Sequence, residues 1–155
     1  MGGKNEKKGR RFRSLDCEVS HAKQEVSPRR GMSSMVDLKQ TLSRFLAIPG
    51  VCQAVLVGRD GLMIEGMTRE GKEDMESVGA ITTTGLSTAE ALAQEISRGS
   101  VVGVIMEYEQ GLVSIDPLGD FALIVTLSDN ASNLGRVRHL VRASRNEILE
   151  ALDIA

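Results

Sequence analysis

The spacing of apolar residues changes at defined points along this chain, and each change predicts an element. From residue 34 they recur every three or four positions, which indicates a helix, with Ser34 as the expected N-cap and Asp37 in an acidic first turn. The apolar face of this helix comprises Met35, Leu38, Leu42, Phe45 and Leu46. Pro49-Gly50 then ends it.

The next segment predicts a β-hairpin. Two apolar runs, 52–58 and 62–67, flank Arg59-Asp60-Gly61. Asp-Gly between apolar runs indicates a tight turn, because Gly adopts the positive φ that such a turn needs. Residues 58–61 lack the spacing and the Lys-Ser/Thr ending of a phosphate-binding loop. We therefore interpret them as a turn only, and we do not expect the chain to be a GTPase.

A long helix rich in small residues is predicted over 73–98, with Gly99 as its terminator. Its inward positions are Met75, Val78, Thr82, Gly85, Ala89, Leu92 and Ile96. Gly and Thr weaken an isolated helix. We therefore expect another helix to pack closely against this one, because small side chains allow two backbones to approach.

Three strands and a helix complete the pattern. The strands are predicted over 101–108, 112–116 and 121–127, and their short Gly-containing connections favour antiparallel pairing. Residues 130–133 cap a last helix. Its inward face comprises Leu134, Val137, Val141, Ile148 and Leu152, and Arg136, Arg138, Arg142 and Arg145 fall largely on its other side. The order α-β-β-α-β-β-β-α predicts one α+β domain over 34–155 with a five-stranded antiparallel sheet.

Composition adds mainly exclusions. The chain has 155 residues, of which 41% are hydrophobic and 3% aromatic, so we expect an aliphatic core filled by Met. No apolar run approaches the roughly 20 residues of a membrane-spanning helix, and a secretory signal is not recognisable. Two cysteines, Cys17 and Cys52, exclude a disulfide framework. A cytoplasmic location is expected.

Charge is divided unevenly between the two parts of the chain. Residues 1–33 carry nine basic and four acidic residues, a net charge of +5, whereas the remainder has a net charge of −7. The basic tail has few apolar residues and is predicted to be disordered. Without interleaved aromatic residues we do not expect it to bind nucleic acid. Alternatively, translation begins at Met32 or Met35 and the tail is an artefact, which the intact mass of the natively expressed protein would test.

No catalytic or metal-binding pattern is recognisable in the sequence. Cys17, His21 and Cys52 lack zinc-ligand spacing. Cys52 and His139 are the candidates for nucleophilic catalysis, and we interpret them as a core thiol and an exposed imidazole. An enzyme is therefore the least expected class.

In their order and spacing, the motifs resemble the Roadblock / dynein light chain family, in particular its bacterial MglB-like members. The matching segments are IPGV at 48–51, the hairpin at 55–64, the small-residue helix, residues 104–127 and NLGRVR at 133–138. The resemblance covers 34–152. It implies a non-enzymatic Roadblock-type (longin/profilin-like) fold with helices on both faces of the sheet, and no cofactor or metal.

The resemblance also implies a homodimer, or a dimer with a paralogous Roadblock subunit. In this family the strand after the central helix pairs with its copy into a ten-stranded sheet, and the two central helices lie side by side. The implied interface residues are Gly79, Thr82, Thr83, Gly85, Leu86, Val101, Val102, Val104, Ile105 and Met106.

In MglB-like members the paired helices bind a small Ras-like GTPase and regulate its nucleotide state. The implied contacts here are Glu76, Thr83, Glu90 and Arg98. Arg69 and Arg98 are candidates for an arginine finger, although in this family the GTPase's own groups are thought to be repositioned. Two alternatives stay open: a dimeric scaffold without effect on hydrolysis, and a small-ligand sensor, which the low aromatic content disfavours.

Overall fold

The computed structural model describes residues 37–69, 74–129 and 133–153, and within these ranges the predicted order of elements is confirmed. The elements are α1 (Leu38–Leu46), β1 (Val51–Gly58), β2 (Met63–Thr68), α2 (Met75–Glu95), β3 (Val104–Tyr108), β4 (Gly111–Leu118), β5 (Ala122–Ser128) and α3 (Leu134–Ala151). The predicted basic tail, Ser34 and Met35 lie outside the described residues.

Aspartates cap the first two helices. The Asp37 carboxylate accepts a hydrogen bond from the Lys39 backbone N–H at 3.0 Å, so Asp37 itself is the N-cap of α1. The prediction that Asp37 belongs to the first turn was therefore wrong. Asp74 caps α2 in the same way, and its Oδ1 accepts from the backbone N–H groups of Glu76 and Ser77 at 3.2 Å each.

The connection between α2 and β3 is longer than predicted. α2 ends at Glu95 because Ser97 and Gly99 adopt φ values of 53° and 81°, which cannot continue a right-handed helix. β3 begins only at Val104. Val101 and Val102, which were predicted as strand, therefore belong to the connection.

The predicted hairpin turn is confirmed. Gly61 has a φ of 84°, in the left-handed region that Gly adopts without strain. Asp60 supports the turn, because its Oδ1 accepts a hydrogen bond from the Leu62 backbone N–H at 3.0 Å.

The five strands form one antiparallel sheet in the order β2-β1-β5-β4-β3. β1 and β5 lie at its interior and are buried along nearly their whole length. This explains why both strands are almost continuously apolar rather than alternating. β2 and β3 form the two edges.

Helices cover both faces of the sheet, as predicted. Phe45 of α1 and Ile148 of α3 pack with Leu56 and Ile124 on one face. On the other face, Leu86 of α2 packs in a cluster completed by Val55, Val57, Ile115, Leu123 and Val125. Successive residues of a strand face opposite sides, which is why Leu56 and its neighbours in β1 belong to different clusters.

A carboxylate is buried on the α3 side of β4. The Asp116 side chain is only 5% exposed, and its Oδ2 accepts a hydrogen bond from Ser114 Oγ at 2.6 Å. Burial raises the pKa of Asp116 above its usual value of 3.8, against the opposing effects of Ser114 and of the charges of Arg138 and Arg142. Ionisation of Asp116 is thus less favourable in the folded protein than in the unfolded chain.

We expect Asp116→Asn to raise the free energy of unfolding at pH 7. The pKa of Asp116 is higher in the folded protein than in the unfolded chain, so the folded protein binds more protons just above pH 3.8. The free energy of unfolding of the wild type therefore falls as the pH rises through that range. The gain should therefore shrink as the pH approaches 3.8. Urea unfolding of the wild type and of Asp116→Asn between pH 3.8 and pH 7 measures the gain in free energy of unfolding. Asp120→Asn, at an exposed position, is the control. A gain that is independent of pH would contradict the assignment.

Candidate interaction surface

The inner side of α2 is built from small residues that lie against the chain's own sheet. Gly79, Thr82 and Leu86 are its buried positions. A Cβ on Gly79 would lie 3.1 Å from a methyl of Val57, and a Cβ on Gly85 would lie 3.1 Å from Met106 Cε. The close neighbour of these glycines is therefore the sheet. This corrects our explanation that their small size serves a second helix.

The threonines of α2 satisfy their hydroxyls within the helix. Thr82 Oγ1 donates to the Val78 carbonyl at 2.7 Å, and Thr83 Oγ1 donates to the Gly79 carbonyl at 2.9 Å. Thr83 is half-buried and lies beside Gly61 of the hairpin turn, so it is only partly available to a partner. Of the interface residues implied on α2, Thr83 and Gly85 are half-buried, whereas Gly79, Thr82 and Leu86 are buried.

The outer side of α2 exposes branched apolar side chains. Ile81 is 69% exposed and Leu92 is 59% exposed, and Ile96 beyond the helix end is also exposed. Ile81 and Leu92 are three turns apart and share one side of the helix. Leu92 and Ile96 were predicted to face inward, which is wrong, because little of the described chain covers the last turn of α2. Sequence reasoning did not single out Ile81 as an exposed apolar residue. The signal that could have found it is its position outside the spacing of the inward residues.

Edge strand β3 lies beside this exposed side. Val104 and Met106 are half-buried against the α2-side core. Ile105, 41% exposed, points to the other face, since side chains alternate along a strand. Within the described residues β3 pairs with β4 alone, which leaves the backbone groups of its outer edge unpaired by the sheet.

These residues border one edge of the sheet, and we call them the α2–β3 surface. Its members are Ile81, Leu92, Ile96, Val102 and Tyr108, together with Ile105, which lies at the same edge on the opposite face of the sheet. They are six of the nine exposed large apolar side chains in the described ranges, so the exposed apolar groups are concentrated rather than scattered. Exposed apolar side chains that lie close together are typical of protein–protein contact surfaces.

The implied GTPase contacts do not form a compact cluster. Glu76 is exposed in the first turn of α2, and Arg98 is exposed beyond its end. From Glu76 to the last residue of α2 the helix rises about 29 Å. Arg69 donates to the Leu46 carbonyl and is thereby held between β2 and α1.

Glu90 is engaged within the chain. Its Oε1 accepts a hydrogen bond from Arg59 Nη1 at 2.7 Å, in a partly buried ion pair whose side chains are 25% (Arg59) and 35% (Glu90) exposed. Arg59 Nη2 also donates to the Gly119 carbonyl at 2.9 Å. Arg59 therefore ties the hairpin turn to α2 and to the β4–β5 turn. Sequence reasoning missed this role, because the partners are 31 and 60 residues away.

We expect Arg59→Ala to lower the free energy of unfolding by about 1.5–3 kcal/mol, because it removes a charged hydrogen-bond donor from two acceptors. Arg98→Ala removes the same charge from an exposed site and should change stability by less than about 0.5 kcal/mol. Urea unfolding of both variants measures the difference. Equal losses would contradict the role assigned to Arg59.

A cleft of about 530 Å³ lies beside Arg59, between the end of α2, the connection to β3 and the β4–β5 turn. Its charged residues are Arg59, Arg145, Glu90 and Asp120, which balance each other, and no aromatic side chain lines it. The cleft therefore gives little support to a small-ligand sensor.

The candidate catalytic residues have ordinary surroundings. Cys52 is half-buried rather than part of the core, and its Sγ donates to the Gly50 carbonyl at 3.6 Å. His139 is exposed on α3, as predicted. Among the described residues no group of three His, Cys, Asp or Glu could hold a metal ion. No helix in those ranges is both long and apolar enough to cross a membrane.

Known proteins share this sequence pattern. The family model of the Roadblock/LC7 domain matches residues 37–128. Two uncharacterized proteins of Methanocaldococcus jannaschii are each 31% identical to this chain over 99 residues, which cover 64% of this chain and 85% of theirs.

Solved structures share the fold at low identity. Myxococcus xanthus MglB superposes with a TM-score of 0.69 at 17% identity, covering 79% of this chain and 100% of that one. The gliding protein MglB of Thermus thermophilus gives 0.65 at 18% identity, with coverage of 76% and 89%. A Roadblock/LC7 domain from Streptomyces avermitilis gives 0.64 at 18%, with coverage of 73% and 98%.

Proposed function

The chain belongs to the Roadblock/LC7 domain family, and from this premise we propose that it acts as a homodimer that regulates or recruits a Ras-like small GTPase. Its similarity to MglB and other Roadblock domains supports a regulatory or adaptor role rather than catalysis. The observation that carries the proposal is the α2–β3 surface, where an exposed apolar side of a helix adjoins an unpaired strand edge.

The dimer contact is proposed at β3. An unpaired edge that exposes Ile105 and Tyr108 favours addition of another strand. A second copy of β3, related by a two-fold axis, would extend the sheet to ten strands with the same residues on both sides. The implied contacts Val104 and Met106 would then pack beside their copies.

The GTPase contact is proposed on α2. Pairing at β3 brings both α2 helices to one face of the joined sheet. Ile81 and Leu92 supply apolar contacts there, and the exposed Glu76 and Glu95 would steer a basic partner surface. Thr83 is half-buried on α2 and Arg98 is exposed beyond the end of the helix, whereas Glu90 is already paired with Arg59.

Single-turnover GTP hydrolysis tests the regulatory role. The Ras-like GTPase encoded nearest this protein is titrated with the full chain, and we expect acceleration that saturates at two chains per GTPase. A flat titration with binding confirmed would support the scaffold alternative, in which the dimer only assembles or localises its partner. A flat titration without binding would contradict the proposal.

The double variant Arg69→Ala, Arg98→Ala is expected to keep the acceleration. Arg69 is held by the Leu46 carbonyl, and Arg98 lies on the exposed connection after α2, so neither is placed as a fixed arginine finger. The same hydrolysis assay compares the acceleration by the wild type and by the double variant, at a temperature where circular dichroism shows that both are folded. Loss of acceleration in the folded variant would show that one of these arginines acts on the nucleotide.

A further inference from the structure

A groove on the other side of the sheet from α2 is lined by three arginines. It has a volume of about 160 Å³ and lies between α3 and the end of β4. Arg138, Arg142 and Arg145 line it from α3. Their spacing of four and three residues places them on one face of that helix.

These arginines have little compensation inside the chain. Arg145 Nη1 donates to the Pro117 carbonyl at 3.1 Å. The ion pairs found among the described residues, Arg44–Glu147 and Arg59–Glu90, involve none of the three. From 134 to 146 helix α3 contains four arginines and no acidic residue. Like charges at this spacing repel one another.

The one carboxylate in the groove is Asp116, which is already engaged. Its Oδ2 accepts from Ser114, and its Oδ1 lies 3.0 Å from where a Cβ on Gly103 would stand. The same Cβ would lie 3.4 Å from Arg138 Nη2. Because Gly103 has no side chain, the space beside the Asp116 carboxylate and the Arg138 guanidinium stays open. With Asp116 ionised, the groove has a net charge of +2 from the residues that line it.

We propose that this groove binds a phosphate-class dianion, held by the guanidinium groups of Arg138, Arg142 and Arg145. The planar guanidinium fork matches phosphate oxygens in geometry and charge. A dianion neutralises the net charge of the lining. The groove has the volume of about five water molecules, enough for one tetrahedral group. The phosphate group of a small solute and that of a lipid headgroup offer the same chemistry.

Phosphate-dependent stability of the full chain tests the site. Melting temperature is measured against inorganic phosphate, with sodium chloride holding the ionic strength constant. We expect a saturable rise for wild type, and an apparent affinity at least about tenfold weaker for Arg142→Gln, which loses a charged donor. Arg136→Gln removes the same charge from a position of α3 that is exposed like Arg142 but lies outside the groove, and should keep the rise.

Asp116→Asn gives an independent signature. It removes the negative charge from the groove without removing a donor, so phosphate should bind more tightly than to wild type. Non-specific screening by phosphate would not distinguish Asp116→Asn from wild type. No rise with phosphate, an equal loss in Arg136→Gln and Arg142→Gln, or weaker binding by Asp116→Asn would overturn the proposal.

Vesicle sedimentation distinguishes the two sources of phosphate. Vesicles of phosphatidylcholine with and without phosphatidic acid are mixed with the full chain and with both arginine variants. Sedimentation that requires phosphatidic acid and Arg142 would identify a lipid headgroup as the ligand. A phosphate-dependent rise in melting temperature without sedimentation would identify a soluble phosphate compound. Each of these two results supports the groove as the site.

Discussion

Leu86→Ala is expected to lower the free energy of unfolding by about 2–5 kcal/mol. Leu86 is fully buried and is the large side chain with which α2 enters the core formed by Val55, Val57 and their neighbours. The other buried positions of the helix, Gly79 and Thr82, are small. Truncating Leu86 therefore leaves a cavity that no neighbour on α2 can fill. Urea unfolding of the full chain measures the loss.

Leu92→Ala makes the same chemical change six residues further along the same helix. Leu92 is 59% exposed, so the stability should change by less than about 0.5 kcal/mol. If Leu92 belongs to the partner contact, its truncation should instead weaken binding of the GTPase. Equal loss of stability in both variants would contradict the assigned orientation of α2.

Ile105→Lys is expected to convert the proposed dimer into monomers. In a two-fold pairing of β3 each dimer would bury two new ammonium groups at the strand edge. An unsatisfied buried polar group costs about 1–3 kcal/mol. Two such groups together cost about 2–6 kcal/mol and therefore raise the dissociation constant about 30-fold or more. Sedimentation velocity over a range of protein concentrations measures the change.

Ile64→Lys is the matched control. Ile64 lies on β2, the opposite edge of the sheet, and is 43% exposed against 41% for Ile105. The two variants therefore differ in which edge receives the charge. Dissociation by both variants alike, or a wild-type chain that is monomeric at all concentrations, would contradict pairing at β3.

The elements of the fold could be predicted because their signals are local. Asp60-Gly61 specifies its turn through the positive φ of Gly61 and through the hydrogen bond from the Leu62 backbone N–H to the Asp60 side chain, two residues earlier. The N-cap of α1 was misplaced because Ser34 and Asp37 are both good N-cap residues by type. The backbone conformation, which the sequence does not show, decides between them.

The candidate site was less predictable because its signals depend on tertiary packing. Helical spacing shows that Gly79 and Thr82 share a face, but small residues suit a nearby sheet as well as a nearby helix. The pairing of Arg59 with Glu90 joins segments whose proximity the sheet alone determines. Likewise, the spacing of the arginines on α3 is visible in the sequence, but Asp116 opposite them is not.

The most direct test of the α2–β3 surface is calorimetric titration of the GTPase, loaded with a non-hydrolysable GTP analogue, into the full chain. We predict two chains per GTPase for wild type and for Ile64→Glu, and loss of binding for Ile81→Glu, which places a charge on the exposed side of α2. Binding by Ile81→Glu with wild-type affinity, or equal loss in Ile64→Glu, would contradict the proposed surface.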